Sequence, residues 1–475
     1  MKIAYAQIKI SAGHPDANTK KILRLIDEAR AQSADVIIFP ETSDIYTEEI
    51  FAEKNIGVVL GEKNFDGFDV KFSSAPFSLD KKISDEKISR PTIQIGFVGI
   101  QNIGKVVYVF DGGSAVFNSR GQIVQRAEPF AESLNFVELE AIDKMPALEV
   151  DDLGETEKIY RAISFGVKNF LEQIGLKKVV VGVSGGIDSA VAAALYTKIL
   201  GAENVFLVNM PGVFNSATTK NLSARLAKNL GCKYFIVPIQ ESVDWTVKQL
   251  EGVGLEVSSF VRENIQARDR SSRILAAIAA CVGGVFTCNA NKAESTVGYA
   301  TLYGDAAGFL SALADLWKFQ VYNLARHLNE KIFRREVIPQ GIIDIVPSAE
   351  LSNAQNVDEG KGDPLKYPYH DFLFKAFAEK NSTPEEILTW YSQGVVEKNI
   401  GCEFGLVEKF FPTAEDFIND LERWWKQFTV AGVAKRIQSP PILAVTDHPF
   451  GARAESQNGV HFSKKYFELK KILLA

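Results

Sequence analysis

Residues 179–196 read VVVGVSGGIDSAVAAALY. A buried-type strand, Lys178 to Val183, runs into a glycine-rich loop, Ser184 to Ser189, and then into a helix, Ala190 to Leu200. Two adjacent glycines let the loop turn with its N–H groups pointing inward. Two serines add hydroxyl donors, and the helix start adds partial positive charge. Such a nest fits a pyrophosphate. Asp188 would repel bare phosphate, but makes sense with a Mg²⁺ ion between them. The bland alternative is an ordinary βα turn, which the full string Ser184-Gly185-Gly186-Ile187-Asp188-Ser189 disfavours.

Working outward, Glu157 to Ile174 reads as a helix, Val205 to Met210 as a strand, Thr219 to Leu230 as a helix and Tyr234 to Val237 as a strand. This alternation predicts a doubly wound parallel sheet in an α/β protein. Nearer the start, Lys2 to Ile8 and Ala34 to Phe39 read as strands flanking a helix with Ile22, Leu25, Ile26 and Ala29 on one face. From Ile93 the runs IQIGFVGI, KVVYVF and GSAVF read as further strands, ending in the turn Ser119-Arg120-Gly121. Residues 131–157 are polar and acidic with little periodicity and read as linker, which divides the chain into 1–140, a linker at 141–157, and 158–475. Asn353 to Lys366, rich in Gly, Asp and Asn, is expected to be a mobile loop. Gly99 to Val106 (GIQNIGKV) nearly matches a phosphate-loop pattern. It ends in Val106 rather than a hydroxyl and lies among strands, so it is set aside.

Composition narrows the function classes. Of 475 residues, 46% are hydrophobic and 24% charged, which excludes disordered and fibrous chains. Lys plus Arg number 53 and Asp plus Glu 59, a net charge of −6, giving no global reason to bind nucleic acid or an anionic membrane. The N-terminus lacks the apolar core of a signal peptide, and the longest apolar stretch, Ile274 to Cys288, is short for a bilayer span. The four cysteines form no CxxC pair, so a cytoplasmic protein without disulfides or zinc is expected. Cys281 and Cys288 read as core residues, and the five histidines show no ligand spacing.

The string SGGIDS resembles the signature of the N-type ATP pyrophosphatases, which split ATP between its α- and β-phosphates. ENIQAR (263–268), NKAE (291–294), YATLYGD (299–305), PSAEL (347–351) and Lys435-Arg436 followed by SPPIL narrow the resemblance to the NAD synthetases, over most of residues 158–450. It implies that Ser184, Gly185, Gly186, Ile187, Asp188 and Ser189 hold the ATP phosphates, with Asn289, Lys318 and Ser348 also contacting ATP. Asp188 and Glu294 would hold Mg²⁺, and with Lys318 would form the catalytic set. Asn264, Arg268, Glu294, Tyr299, Ala300, Thr301, Leu302 and Lys435 match positions that bind deamido-NAD. Asn289 and Ala290 depart from the usual Thr-Gly, which implies altered adenosine or ribose contacts. Read without the resemblance, Glu294 serves equally as a helix cap, and Lys435 and Arg436 as solvated surface.

The implied reaction is attack of the deamido-NAD carboxylate on the α-phosphate of ATP, giving an acyl adenylate that ammonia converts to the amide. Pro211 to Thr219 and Asn353 to Lys366 are candidate lids. Residues 1–130 resemble a nitrilase-type amidase domain in KIAYAQIKIS, ADVIIFPE and FDGGSAVFNSRGQIV, with SSAPF (73–77) resembling that family's Asn-Ala-Ser-Pro stretch. That chemistry needs a Cys nucleophile, a Glu base and a Lys. Glu41 matches the Glu, but no cysteine precedes Cys232, and the segment expected to carry Lys and Cys is largely deleted between about Asp44 and Lys71. Glu41 is therefore read as vestigial, and ammonia is expected from solution or a separate donor. The resemblance also implies a homodimer or larger homo-oligomer. Two rivals stand beside it: another amidotransferase-like synthetase, and a non-catalytic nucleotide-binding regulator.

Overall fold

The computed structural model describes residues 1–42, 44–46, 56–80, 88–149, 153–452 and 459–475. It comprises two compact units: Met1–Asn102 with Tyr108–Asn169 and Val445–Asp447, and Ile103–Val107 with Phe170–Ala444 and His448–Ala475.

The first unit is an α/β sandwich. One sheet has the strand order Ser133–Glu138, Lys2–Gln7, Val36–Phe39, Gly57–Leu60. The other runs Ile123–Arg126, Ala115–Phe117, Thr92–Gly96, Asp69–Ser73, Lys63–Asn64. Strand alternation sends Ile3 and Tyr5 to one face and Ala4 and Ala6 to the other. Ile3, Tyr5 and Ile38 meet Val70, Ile93 and Val116 between the sheets. Ala4, Ala6, Ile37 and Phe39 pack on Ile22, Leu25, Ile26 and Ala29 of the helix Pro15–Ala31. Ser133–Glu138, inside the stretch read as linker, pairs antiparallel with Lys2–Gln7. Its polar alternation is that of a half-exposed edge strand, which resembles a loop when read alone. The helix Glu155–Gln173 follows, and the two compact units meet in sequence at Asn169–Phe170 along it.

The second unit holds a four-stranded sheet in the order Lys233–Ile236, Val205–Asn209, Val179–Gly182, Val285–Phe286, every pairing parallel. The chain winds one way from Val179–Gly182 and returns to its other side at Val285–Phe286. Those two strands flank the switch point, where an open parallel sheet forms a crevice at its carboxyl ends. The helix Ile187–Leu200, buried on nearly all sides, starts there. A helical lobe over residues 367–473 packs around Tyr369, Phe374, Phe377, Phe417 and Trp424. Gly99–Val106 spans the end of one strand, Val98–Ile103, and the start of another, Val106–Asp111, with no helix between.

Candidate active site

Backbone geometry builds the loop Ser184–Gly186. Gly185 sits at φ +92, and a Cβ there would lie 2.5 Å from the Thr219 carbonyl oxygen, so only glycine fits. Ser189 Oγ donates to the Gly186 carbonyl at 3.0 Å, and the Gly186 N–H donates to Ser184 Oγ at 3.2 Å. Gly186 caps the helix Ile187–Leu200 without a side-chain bond, so the first N–H groups of that helix stay available to an anion.

Three charged side chains converge beside this loop. Lys318 Nζ donates to Asp188 Oδ2 and lies 3.9 Å from Glu294 Oε1. Asn291 Nδ2 donates to Asp188 Oδ1 at 3.2 Å. Glu294 closes a capping box on the short helix Lys292–Val297, its Oε2 accepting the Asn291 N–H at 3.1 Å. Its Oε1 accepts the Tyr367 hydroxyl at 3.1 Å. Glu294 therefore caps a helix and also faces the cavity described below.

Burial, and then the nearby Asp188 charge, push Glu294 up to about 8. Burial alone would lower Lys318, but Asp188 and Glu294 outweigh it and hold the ammonium above its ordinary range. Two carboxyl groups thus flank one lysine: Asp188 pairs with it, and Glu294 keeps its proton up to about pH 8 unless a further cation enters. No group of three or more His, Cys, Asp or Glu side chains suited to a metal occurs among the described residues. A carboxyl pair beside a glycine loop and a helix start nevertheless fits Mg²⁺, which takes one or two protein carboxylates and fills its other positions with water and ligand oxygens.

A cavity of about 250 Å³ opens here. Of the expected residues, Ser184, Gly186, Ile187, Asp188, Ser189, Asn289, Glu294, Tyr299, Ala300, Lys318 and Ser348 line it. Asn289 Nδ2 donates to the Gly182 carbonyl at 3.3 Å, and the Ser348 hydroxyl donates to the Gln355 carbonyl at 2.6 Å. The remaining expected residues sit apart from the cavity lining. Gly185 lies behind it; Thr301 Oγ1 donates to Asn264 Oδ1 at 2.9 Å, and Arg268 Nε to the Leu302 carbonyl at 3.2 Å. Lys435 Nζ donates to the Gly298 carbonyl at 2.7 Å and lines a small neighbouring cavity with Glu294 and Ala300. Arg436 is buried and bonded to the Thr296 carbonyl, so it is not solvated surface. Cys288 is buried as expected. Cys281 is exposed, because its helix ends one residue later at Val282 and leaves it on the open side.

The motifs do not announce several residues that belong here. Asn291 carries a local signal, the N-x-x-E spacing of a capping box. Asp363 lines the cavity from the Asn353–Lys366 segment, and burial raises it to about 6. Arg270 is held by the Met210 carbonyl and Asn215 Oδ1, and burial lowers it to about 10. Asp305 is raised by burial. Tyr367 and Asp363 reach the site from some seventy residues downstream, a distance no local pattern bridges. In the first unit Glu41 is exposed, its stem lying against Gly61.

A family profile described as NAD synthase matches residues 159–400. A glutamine-dependent NAD(+) synthetase of Synechocystis sp. is 32% identical over 398 residues, covering 81% of this chain and 64% of that protein. The chain spans less than two thirds of the length of the first curated relatives it matches. Among solved structures, a glutamine-dependent NAD(+) synthetase from Cytophaga hutchinsonii superposes with TM-score 0.72 at 14% identity, covering 100% of this chain and 99% of that one. A glutamine-dependent NAD+ synthetase from Acinetobacter baumannii, in complex with ADP, superposes with TM-score 0.64 at 22% identity, covering 96% and 98%. These two likenesses establish the fold: a nitrilase-like α/β sandwich followed by a doubly wound parallel-sheet domain.

Proposed function

Since the chain belongs to the NAD synthase family, we propose that it is an ammonia-using NAD synthetase, amidating deamido-NAD at the expense of ATP. The observation that carries this reading is the convergence of Asp188, Glu294 and Lys318 beside the Ser184–Ser189 loop at the switch point of the parallel sheet. The loop and the helix start at Ile187 bind the ATP phosphates. Asn289 and Ser348 bound the nucleotide cavity. The Asn264, Arg268 and Tyr299–Leu302 cluster, with Lys435, receives deamido-NAD. Arg and Lys suit its pyrophosphate and carboxylate.

Asp188 and Glu294 would hold Mg²⁺, which supplies charge neutralisation at the phosphates when bound. The protein's own contribution is positioning. Lys318 places a fixed positive charge beside Asp188 and the phosphate loop. The cavity brings the substrate carboxylate and the α-phosphate together, and it shields the resulting acyl adenylate from water until ammonia displaces AMP. Asp363 ties its segment to the cavity wall through the Ala349 N–H at 3.0 Å and the Tyr299 hydroxyl at 3.2 Å, which suits a closing lid.

The ammonia source follows from chemistry. Amide hydrolysis by a nitrilase-type domain proceeds through a thioester on cysteine, and residues 1–231 contain none. Glu41 alone matches the triad. A homodimer completes the reading: Trp245, Val253, Leu255 and Phe260 are 60%, 74%, 56% and 71% exposed, on or between the helices Gln240–Gly252 and Ser259–Arg268. Four large apolar side chains left in water on two helices and the loop between them suit burial against a second copy. The deciding experiment assays AMP and pyrophosphate from ATP with each component omitted in turn. Release only when deamido-NAD and ammonia are both present supports the reading. Release with another acid acceptor, or nucleotide binding without turnover, replaces it with one of the rivals.

A further inference from the structure

The helix Tyr367–Ala378 touches both segments that carry the charged cluster. At its start the Tyr367 hydroxyl donates to Glu294 Oε1 at 3.1 Å, and Lys318 Nζ lies 4.6 Å from the centroid of the same ring. One turn on, Asp371 Oδ2 accepts the N–H of Phe319 at 2.9 Å, the residue after Lys318. At the helix end Glu379 accepts from Trp317 Nε1 at 3.1 Å and pairs with Lys292 Nζ at 3.0 Å. Trp317 precedes the helix Lys318–His327, and Lys292 begins the helix that bears Glu294. Helical geometry places Tyr367, Asp371 and Glu379 within about a third of the circumference.

Simple core packing does not require these groups. Asp371 is 2% exposed and its Oδ1 has no partner, so its burial is costly. What it gains is a bond at the start of the lysine's helix. A phenylalanine would fill the core at 367 equally well, yet a tyrosine aims its hydroxyl at the carboxylate. Resting on the functional reading above, we infer that the helix Tyr367–Ala378 is a splint that sets the spacing of Asp188, Glu294 and Lys318. In it Tyr367 is a positioning residue that orients Glu294, and Asp371 one that anchors Lys318.

The test is Tyr367→Phe, which keeps the ring and its contact with the lysine and removes only the hydroxyl. Support for carboxylates that hold metal is typically worth tenfold or more, so kcat/KM for ATP in AMP formation should fall about tenfold or more, with KM for ATP rising and KM for deamido-NAD within about twofold. Independently of turnover, calorimetric binding of α,β-methylene-ATP in the presence of Mg²⁺ should weaken about tenfold, while metal-free binding stays within about twofold. Thermal unfolding should be nearly unchanged. Asp371→Ala should likewise lower kcat/KM for ATP, and Asp371→Asn, which keeps an acceptor for Phe319, should restore most of it. Wild-type kcat/KM for ATP and wild-type Mg²⁺-dependent binding in Tyr367→Phe overturn the inference, as does loss of binding that merely follows loss of folded protein. If the wild type makes no AMP from deamido-NAD and ammonia, the functional reading fails, and the calorimetry still decides the splint.

Discussion

Asp188 and Glu294 face a single lysine, and the empty site keeps Glu294 protonated up to about pH 8. Asp188→Asn and Glu294→Gln should each lower synthetase turnover by more than about a hundredfold, because removing a metal-holding group costs more than removing its support. Steady-state rates at limiting Mg²⁺ check this, and near-normal rates in both variants remove the metal assignment. The same charges make stability depend on pH. Glu294 is raised to about 8 from an ordinary 4.5, so between those values the folded protein binds a proton that the unfolded chain releases. That stabilisation is complete below about 4.5 and is lost as pH rises through 8. Asp363, raised to about 6, and Asp371, raised to about 7, act in the same direction. The nucleotide-free protein should therefore melt at falling temperature from pH 5 to 8.5. The difference between Glu294→Gln and wild type should move in the variant's favour over that range, and scanning calorimetry at several pH values reads it. A flat difference would contradict the assigned environment of Glu294. At this scale the sequence was legible wherever a motif is local. Asp188 and the capping role of Glu294 stand out, whereas Tyr367, Asp363 and Arg270 become part of the site only through tertiary packing.

The loop and the helix that follows it behave as one element. Gly185→Ala forces a positive φ on a side chain and drives its Cβ toward the backbone of the neighbouring helix at Thr219. Strain of this kind costs about 1–3 kcal/mol, and the phosphate nest should deform with it. Chemical denaturation together with nucleotide binding measures both, and wild-type values for each would show that the loop tolerates another path. The elements of the second unit were readable because strands buried on both faces form continuous apolar runs such as VVVGV. Ser133–Glu138 was not, because an edge strand half open to solvent shares its polar composition with a loop. Asn353–Lys366 illustrates the same limit. Its Gly and Asp content reads as mobile, yet it contains two short 3-10 turns, Asn353–Gln355 and Val357–Glu359, and delivers Asp363 to the cavity.

For the whole molecule, two expectations concern association and nitrogen supply. Light scattering should give a dimer or a multiple of dimers, and Phe260→Asp combined with Trp245→Asp should shift it toward monomer with loss of deamido-NAD binding. A fully active monomer would sink the assembly. At the scale of the chain, strand and helix alternation announced both α/β units, and a single helix, Glu155–Gln173, belongs partly to each. The relatives matched above are glutamine-dependent by name, while residues 1–231 of this chain contain no cysteine. The measurement that tests the account most directly supplies ammonium salt and purified glutamine separately, at matched concentration, with ATP, Mg²⁺ and deamido-NAD held fixed. NAD formation with ammonium and none with glutamine is the predicted result. Glutamate release at a rate matching NAD formation would contradict it.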